Sequence, residues 1–181
     1  EKVAKTKKPV ILSIGLANIS DIKFALKILK KNGCSKIAIL QCVSAYPAPI
    51  EEQNLRTINN ITKKFNVVSG LSDHSLGMSS AIASVVLGGS IIEKHFNLDD
   101  KKKTVDSFFS LGVENFKNMV KEIRRTELAL GRINYNISYS SRKNMNSRRS
   151  IYISNKINKG DKISINNVRV IRPNFGLHPK Y

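Results

Sequence analysis

Two hydrophobic rhythms take turns along this chain. Short apolar runs, of the kind buried strands show, are each followed by a stretch in which apolar residues recur every three or four positions, as on one face of a helix. Pro9 to Leu12 is the first run. After it Ser20 is the expected N-cap, Ile22, Ala25, Leu26, Ile28 and Leu29 form the apolar stripe, and Gly33 is the stop. Lys36 to Leu40 is the second run, and the turn Tyr46-Pro47-Ala48-Pro49 leads from it into a helix whose apolar face includes Leu55, Ile58, Ile61 and Phe65. Val67 to Leu71 is the third, followed by a Gly/Ala/Ser-rich segment of helical character from Gly77 to Gly89. Ser90 to Ile92 is the fourth, and the last helix carries Val113, Phe116, Val120, Ile123 and Leu128 on one side, with Gly131 as its C-cap.

Successive strand–helix units predict an α/β fold with a parallel sheet and right-handed crossovers. Four units leave two open edges, and four more would close an eight-stranded barrel. Residues 1–131 therefore read as the second half of a (β/α)8 TIM-type barrel. Residues 132–147 are polar, lack helical periodicity and read as a linker. In residues 148–181 the pattern changes: a short strand at Ser150 to Ile153, a turn at Asn158 to Asp161 and a strand at Val168 to Ile171 suggest the start of a small β-rich module. Glu1 to Lys8 contains no apolar stretch of signal-peptide type. The first residue is not Met, and an excerpt of a longer chain is expected on that ground.

Composition narrows the partners. At 181 residues and 41% hydrophobic the chain can bury a core. No apolar run approaches the roughly 20 residues that span a bilayer, so a cytoplasmic protein without a membrane partner is expected. Cys34 and Cys42 lie in or beside apolar segments and read as reduced, buried thiols. A net charge of +18 invites a nucleic-acid reading. The lysines, however, lie on the polar sides of amphipathic segments, and the aromatics, 7% of residues, are not interleaved with them as a strand-binding face requires. A solvated basic surface is the better account, with no nucleic-acid partner and a field that favours small anions.

The candidate chemistry lies at the strand ends, where parallel α/β proteins place their sites. His74, in Ser72-Asp73-His74-Ser75, and His95, in Glu93-Lys94-His95-Phe96, follow neighbouring strands. Two neutral imidazoles with carboxylates nearby, Asp73 and Glu93, suit a divalent metal. Ser13 ends the first strand, and Ser44 and Tyr46 follow the second. Ser72 and Ser75 stand at the mouth of the helix that begins near Gly77. Hydroxyls and free N–H groups there would cradle a phosphate or simply cap the helix.

These residues resemble the sialic acid (nonulosonate) synthases, which condense phosphoenolpyruvate with an amino-sugar. The motifs are Cys42-Val43-Ser44-Ala45-Tyr46-Pro47-Ala48-Pro49, Gly70-Leu71-Ser72-Asp73-His74-Ser75-Leu76-Gly77, Ile92-Glu93-Lys94-His95-Phe96 and Arg172-Pro173. Residues 44–52 and 176–181 look most like the pseudaminic acid synthase branch. The resemblance implies a (β/α)8 barrel followed by a small antifreeze-like (SAF) domain, here partial. It makes His74 and His95 ligands of a divalent metal, usually Mn2+, with Mg2+ or Co2+ as alternatives. Ser13 and Ser72 would hold the phosphate of phosphoenolpyruvate, and Ser44, Tyr46 and Asp106 would line the sugar pocket. Glu93 would lie beside the reacting carbons, either acting on the attacking water or fixing an imidazole tautomer. Arg172 would reach the sugar of a partner subunit, implying a domain-swapped homodimer. Two features depart from the family: Ser13-Ile14-Gly15 where Ser-Thr-Gly is usual, and three lysines, Lys101 to Lys103, in the loop from Asp99 to Asp106.

The expected function is condensation of phosphoenolpyruvate with a 2,4-diacetamido-2,4,6-trideoxy hexose by the full-length protein, these residues alone being inactive. The alternative substrate is N-acetylmannosamine, for N-acetylneuraminate synthesis. A reading of another class is a non-catalytic, polyanion-binding barrel fragment.

Overall fold

The computed structural model describes residues 1–99 and 103–181; Lys101 and Lys102 of the lysine-rich loop lie outside the described residues. Two compact units divide the chain, Glu1–Gly131 and Arg132–Tyr181.

Four parallel strands, β1 (Val10–Ser13), β2 (Ile37–Cys42), β3 (Val68–Asp73) and β4 (Ile91–Lys94), form the sheet of the first unit in the order β1-β2-β3-β4. Helices α2 (Ile19–Lys31), α3 (Thr57–Phe65), α4 (Ser79–Val86) and α5 (Val113–Leu130) alternate with them, and a short α1 (Lys2–Lys5) precedes the first strand. Strand order follows chain order, and the apolar contacts between helices and sheet all fall on one face. Val10, Leu12, Ile37 and Ile39 pack with Ile22, Leu26 and Leu29 of α2 and Ile61 of α3, while Ile92 packs with Ala81 of α4 and Met119 and Ile123 of α5. A doubly wound sheet would reverse direction and carry helices on both faces. This arrangement is that of a barrel segment. Each fully buried aliphatic side chain here contributes about 1.5–3 kcal/mol.

Strand alternation sends the neighbouring residues to the opposite, inner face. Ile11 and Val68 lie there half exposed, at 55% and 49%, with Leu40 and Ile91 beside them. At the N-terminal ends of the strands a hollow of ≈ 670 Å³ has walls that include Ile11, Ile37, Val68 and Ile91. It holds none of the strand-end histidines or carboxylates. Toward the C-terminal ends the inner face turns polar, through Ser13, Ser72 and Glu93.

Several boundaries differ from expectation for identifiable reasons. Asn18, not Ser20, caps α2: its side chain accepts from the N–H groups of Ser20 (2.8 Å) and Asp21 (3.1 Å), and the Asp21 carboxylate accepts from Asn18 N–H at 3.0 Å. That reciprocal pair is a capping box. Asn18→Ala should cost about 1 kcal/mol, read as a lower urea midpoint; an unchanged midpoint would remove the box from the stability account. Leu55 precedes α3, and α4 is shorter than the segment from Gly77 to Gly89. Neither Ser72 nor Ser75 caps α4, whose N-cap is Met78 without a side-chain bond. Two short strands were not expected: β5 (Phe96–Asn97) pairs in parallel with β6 (Leu111–Gly112). The N-terminal segment is not idle either, since Ala4 of α1 is fully buried in the core. Cys34 and Cys42 are free and buried. No helix among the described residues is long and apolar enough to cross a membrane.

In the second unit, a helical turn α6 (Tyr139–Arg142) and a 3-10 turn (Met145–Ser147) occupy the stretch that lacked periodicity. Strands β7 (Ser150–Ile153) and β8 (Val168–Ile171) form an antiparallel pair, to which Leu177 adds a bridge through Ile151. The expected turn is present, with Asp161 N–H donating to Asn158 C=O at 3.1 Å. Only Ser150 among these residues is buried.

Candidate active site at the strand ends

The ladder between β3 and β4 builds the site. Its last two rungs pair Ser72 with Glu93 and Asp73 with Lys94. His74 and His95 each follow one residue later, so parallel strands in this register deliver both imidazoles to the same end. The rings lie 5.2 Å apart between centroids, inclined at 70°. An open pocket of ≈ 260 Å³ lies over Ser72, His74, Glu93 and His95. On its floor the Ser72 hydroxyl donates to Glu93 Oε1 at 2.7 Å.

His74 is buried, and its Nδ1 lies 2.9 Å from the Val43 carbonyl oxygen. A carbonyl only accepts, so Nδ1 carries the proton and Nε2 is left with its lone pair. The His95 ring is partly exposed, and its Nδ1 lies 3.6 Å from a carboxylate oxygen of Asp106. Its own carbonyl accepts from Leu111 N–H at 3.0 Å, which places His95 between the main ladder and the β5–β6 pair.

Tyr46 stands over both rings, 4.3 Å from His74 and 5.9 Å from His95 between centroids, and is itself 56% exposed. The loop that carries it is tied down by Ala48 N–H donating to the His74 carbonyl at 3.0 Å. Ser44 is exposed near Gly15, where an added Cβ would fall 2.1 Å from the Ser44 hydroxyl oxygen. Gly15 is thus what lets the loops after β1 and β2 touch. Ser13 is exposed at the end of β1.

The structure therefore brings together Ser72, His74, Glu93, His95, Tyr46 and Asp106. Arg172 belongs to the second unit. Asp73 corrects the sequence reading. As a neighbour of Ser72 and His74 in β3 it projects to the helix side of the sheet, where it accepts from Lys94 Nζ at 2.9 Å instead of supporting an imidazole. Ser75 stays beside the first turn of α4, 3.2 Å from the Ser80 hydroxyl, but it donates its own hydroxyl to Asp73 Oδ1 at 2.6 Å instead of capping the helix. Sequence reasoning also missed Phe109, which is buried and packs against His95 at 4.8 Å and Tyr46 at 5.6 Å between centroids. It forms an apolar wall beside the imidazoles.

Among the described residues no three or more His, Cys, Asp and Glu side chains form a metal-binding group. A metal here would take its protein ligands from the imidazole pair and keep other positions open. The donor set fits such an open site: His74 Nε2 is free, and each imidazole has an oxygen acceptor near its second nitrogen, the arrangement that orients ligating histidines.

The NeuB family model matches residues 1–135. The chain is 43% identical to a pseudaminic acid synthase of Campylobacter jejuni over 99% of its length and 52% of that protein's. It is 37% identical to the N,N'-diacetyllegionaminic acid synthase of Campylobacter jejuni, covering 98% of this chain and 54% of that protein. Its structure is similar to that of the N-acetylneuraminic acid synthetase of Leptospira borgpetersenii, with a TM-score of 0.70 at 32% identity, over 79% of this chain and 50% of that one. The chain spans about half the length of the curated relatives it matches.

Proposed function

The chain belongs to the NeuB family, and from that premise we propose that the full-length protein is a phosphoenolpyruvate-dependent nonulosonate synthase of the pseudaminic acid type. It joins phosphoenolpyruvate to a 2,4-diacetamido-2,4,6-trideoxy hexose and releases phosphate. The observation that carries this reading is the imidazole pair at matching positions on adjacent strands, over a floor of Ser72 and Glu93 and under Tyr46. The greater similarity to the pseudaminic acid synthase than to the legionaminic acid synthase supports the branch.

In the reaction the methylene carbon of phosphoenolpyruvate attacks the open-chain aldehyde, water adds to the phosphate-bearing carbon, and phosphate leaves. His74 and His95 would hold a divalent ion, Mn2+ in the first instance, which would supply Lewis acidity to the condensation. Ser72 orients Glu93, whose carboxylate takes a proton from the attacking water. Ser13 and Ser72 bind the phosphate, each hydroxyl donating to a phosphate oxygen; the Ser72 hydroxyl holds Glu93 only until phosphoenolpyruvate arrives, then turns to the phosphate and leaves the carboxylate facing the water. Tyr46 covers the imidazoles and, with Ser44 and Asp106, meets the sugar, while Phe109 limits water on the far side of His95.

In this reading the sheet is the second half of a (β/α)8 barrel, and the exposed inner-face residues Ile11 and Val68 are covered by the other half. Residues 148–181 begin an antifreeze-like domain whose Arg172 reaches the sugar site of a partner in a homodimer. The one phosphorylated substrate, phosphoenolpyruvate, favours a cytoplasmic enzyme.

A competition assay with phosphoenolpyruvate, the diacetamido-trideoxy hexose and N-acetylmannosamine, read by mass spectrometry, tests the substrate. A pocket shaped for a 6-methyl gains only about 1–3 kcal/mol from it, and a buried partner of the second acetamido group left unpaired costs roughly as much again. The expected product is therefore overwhelmingly the pseudaminic type. Predominant N-acetylneuraminate would defeat the branch and leave the synthase class standing.

A further inference from the structure

We propose that the buried Asp73–Lys94 ion pair is a positioning device for the imidazole pair, fixing the separation and inclination at which His74 and His95 meet a metal ion. The inference rests on the metal-site reading above. Neither side chain sees solvent, at 0% and 1% exposure, and strand alternation puts both on the face opposite Ser72 and Glu93, although Lys94 itself lines the edge of the pocket. Lys94 Nζ donates to Asp73 Oδ2 at 2.9 Å and to the Ser75 carbonyl at 2.6 Å. Asp73 Oδ1 accepts from the Ser75 N–H at 2.8 Å and from its hydroxyl at 2.6 Å. That hydroxyl also reaches Ser80 of α4 at 3.2 Å. One network thus holds the residue before His74, the residue after it, and the residue before His95.

The fold alone does not call for charges at this point. The rung two residues earlier on the same face pairs Leu71 with Ile92, and an apolar pair of similar size generally serves packing as well as a buried ion pair or better. The charged rung interrupts the apolar face where the chemistry begins. An apolar contact tolerates sliding, whereas four hydrogen bonds set distance and direction together. Metal ligation demands that kind of control, since ligand distances must hold to within about 0.2 Å. On the opposite face, Ser72 and Glu93 clamp the preceding rung.

The test uses full-length protein carrying Asp73→Leu with Lys94→Met, which keeps the volume and removes both charges. Manganese affinity and the spectrum of the bound ion are read by electron paramagnetic resonance, with thermal unfolding alongside. The folded double variant is expected to bind Mn2+ 10–100-fold more weakly, as for other residues that orient metal-binding histidines, with an altered spectrum of the bound ion. A fall of less than tenfold would overturn the proposal. Should that variant fail to fold, Ser75→Ala keeps both charges and removes the hydroxyl donor to Asp73. A loss of threefold or more then supports the proposal, and a smaller one overturns it. Wild-type protein that binds no Mn2+ would defeat the metal reading and this inference with it; wild-type binding retained in the variants would defeat this inference alone.

Discussion

Alanine at His74 or at His95 is expected to strip the full-length protein of manganese and to cut turnover by about a thousandfold or more, since Lewis-acid stabilisation is worth several kcal/mol and each 1.36 kcal/mol is tenfold. The reason lies in the donor count. With no third His, Cys, Asp or Glu joining the pair among the described residues, either change leaves a single protein ligand. The two variants should differ in stability. His74 is buried, and its loss leaves the Val43 carbonyl without its 2.9 Å donor, a cost of about 1–3 kcal/mol. His95, with 31% of its side chain exposed, should cost little. Metal content, phosphate release and thermal unfolding measured together check both statements. Wild-type metal content in both variants would sink the site assignment.

Gly70→Ala should be among the most damaging single changes in the sheet. A Cβ at Gly70 would lie 2.1 Å from the Ile91 carbonyl oxygen and 2.8 Å from a methyl of Leu40. The leucine can rotate, but the carbonyl belongs to the backbone of the neighbouring strand and can yield only if β3 and β4 part. Overpacking usually costs about 1–3 kcal/mol, and a backbone obstacle in a central ladder puts this change at about 3 kcal/mol or more. Because Gly70 and Ile91 are partners two rungs before Ser72 and Glu93, the displacement should reach the imidazoles too. Urea unfolding of the full-length variant should show the drop, and turnover should fall with it. A wild-type midpoint would mean that the strands separate more easily than the geometry allows.

The sequence showed the barrel segment because its units are long and periodic. Ile22, Leu26 and Leu29 repeat as one turn of helix, and the β2 run is apolar throughout its core. Phe96–Asn97 and Leu111–Gly112 are too short to have a period, and their pairing depends on a partner far along the chain. Ser20 is a sound cap by residue type, but so is Asn18, and only the reciprocal bond with Asp21 identifies the true one. At the site, the imidazole pair was readable from two matching strand ends. Asp73 was not, since proximity in sequence to His74 says nothing of the sheet face on which a side chain lies until its partner is known. Phe109 gave no signal, because a single aromatic in a loop has no pattern.

Parity along β3 and β4 has a consequence for how this stretch can change. Ser72, His74, Glu93 and His95 share one face, while Asp73 and Lys94, interleaved with them, share the other. An insertion or deletion of a single residue within either strand would exchange the two sets, sending a buried charge into the pocket and an imidazole among the aliphatic side chains of the helices. Gains and losses of length should therefore be confined to the connecting loops, and the two strands should diverge by substitution alone.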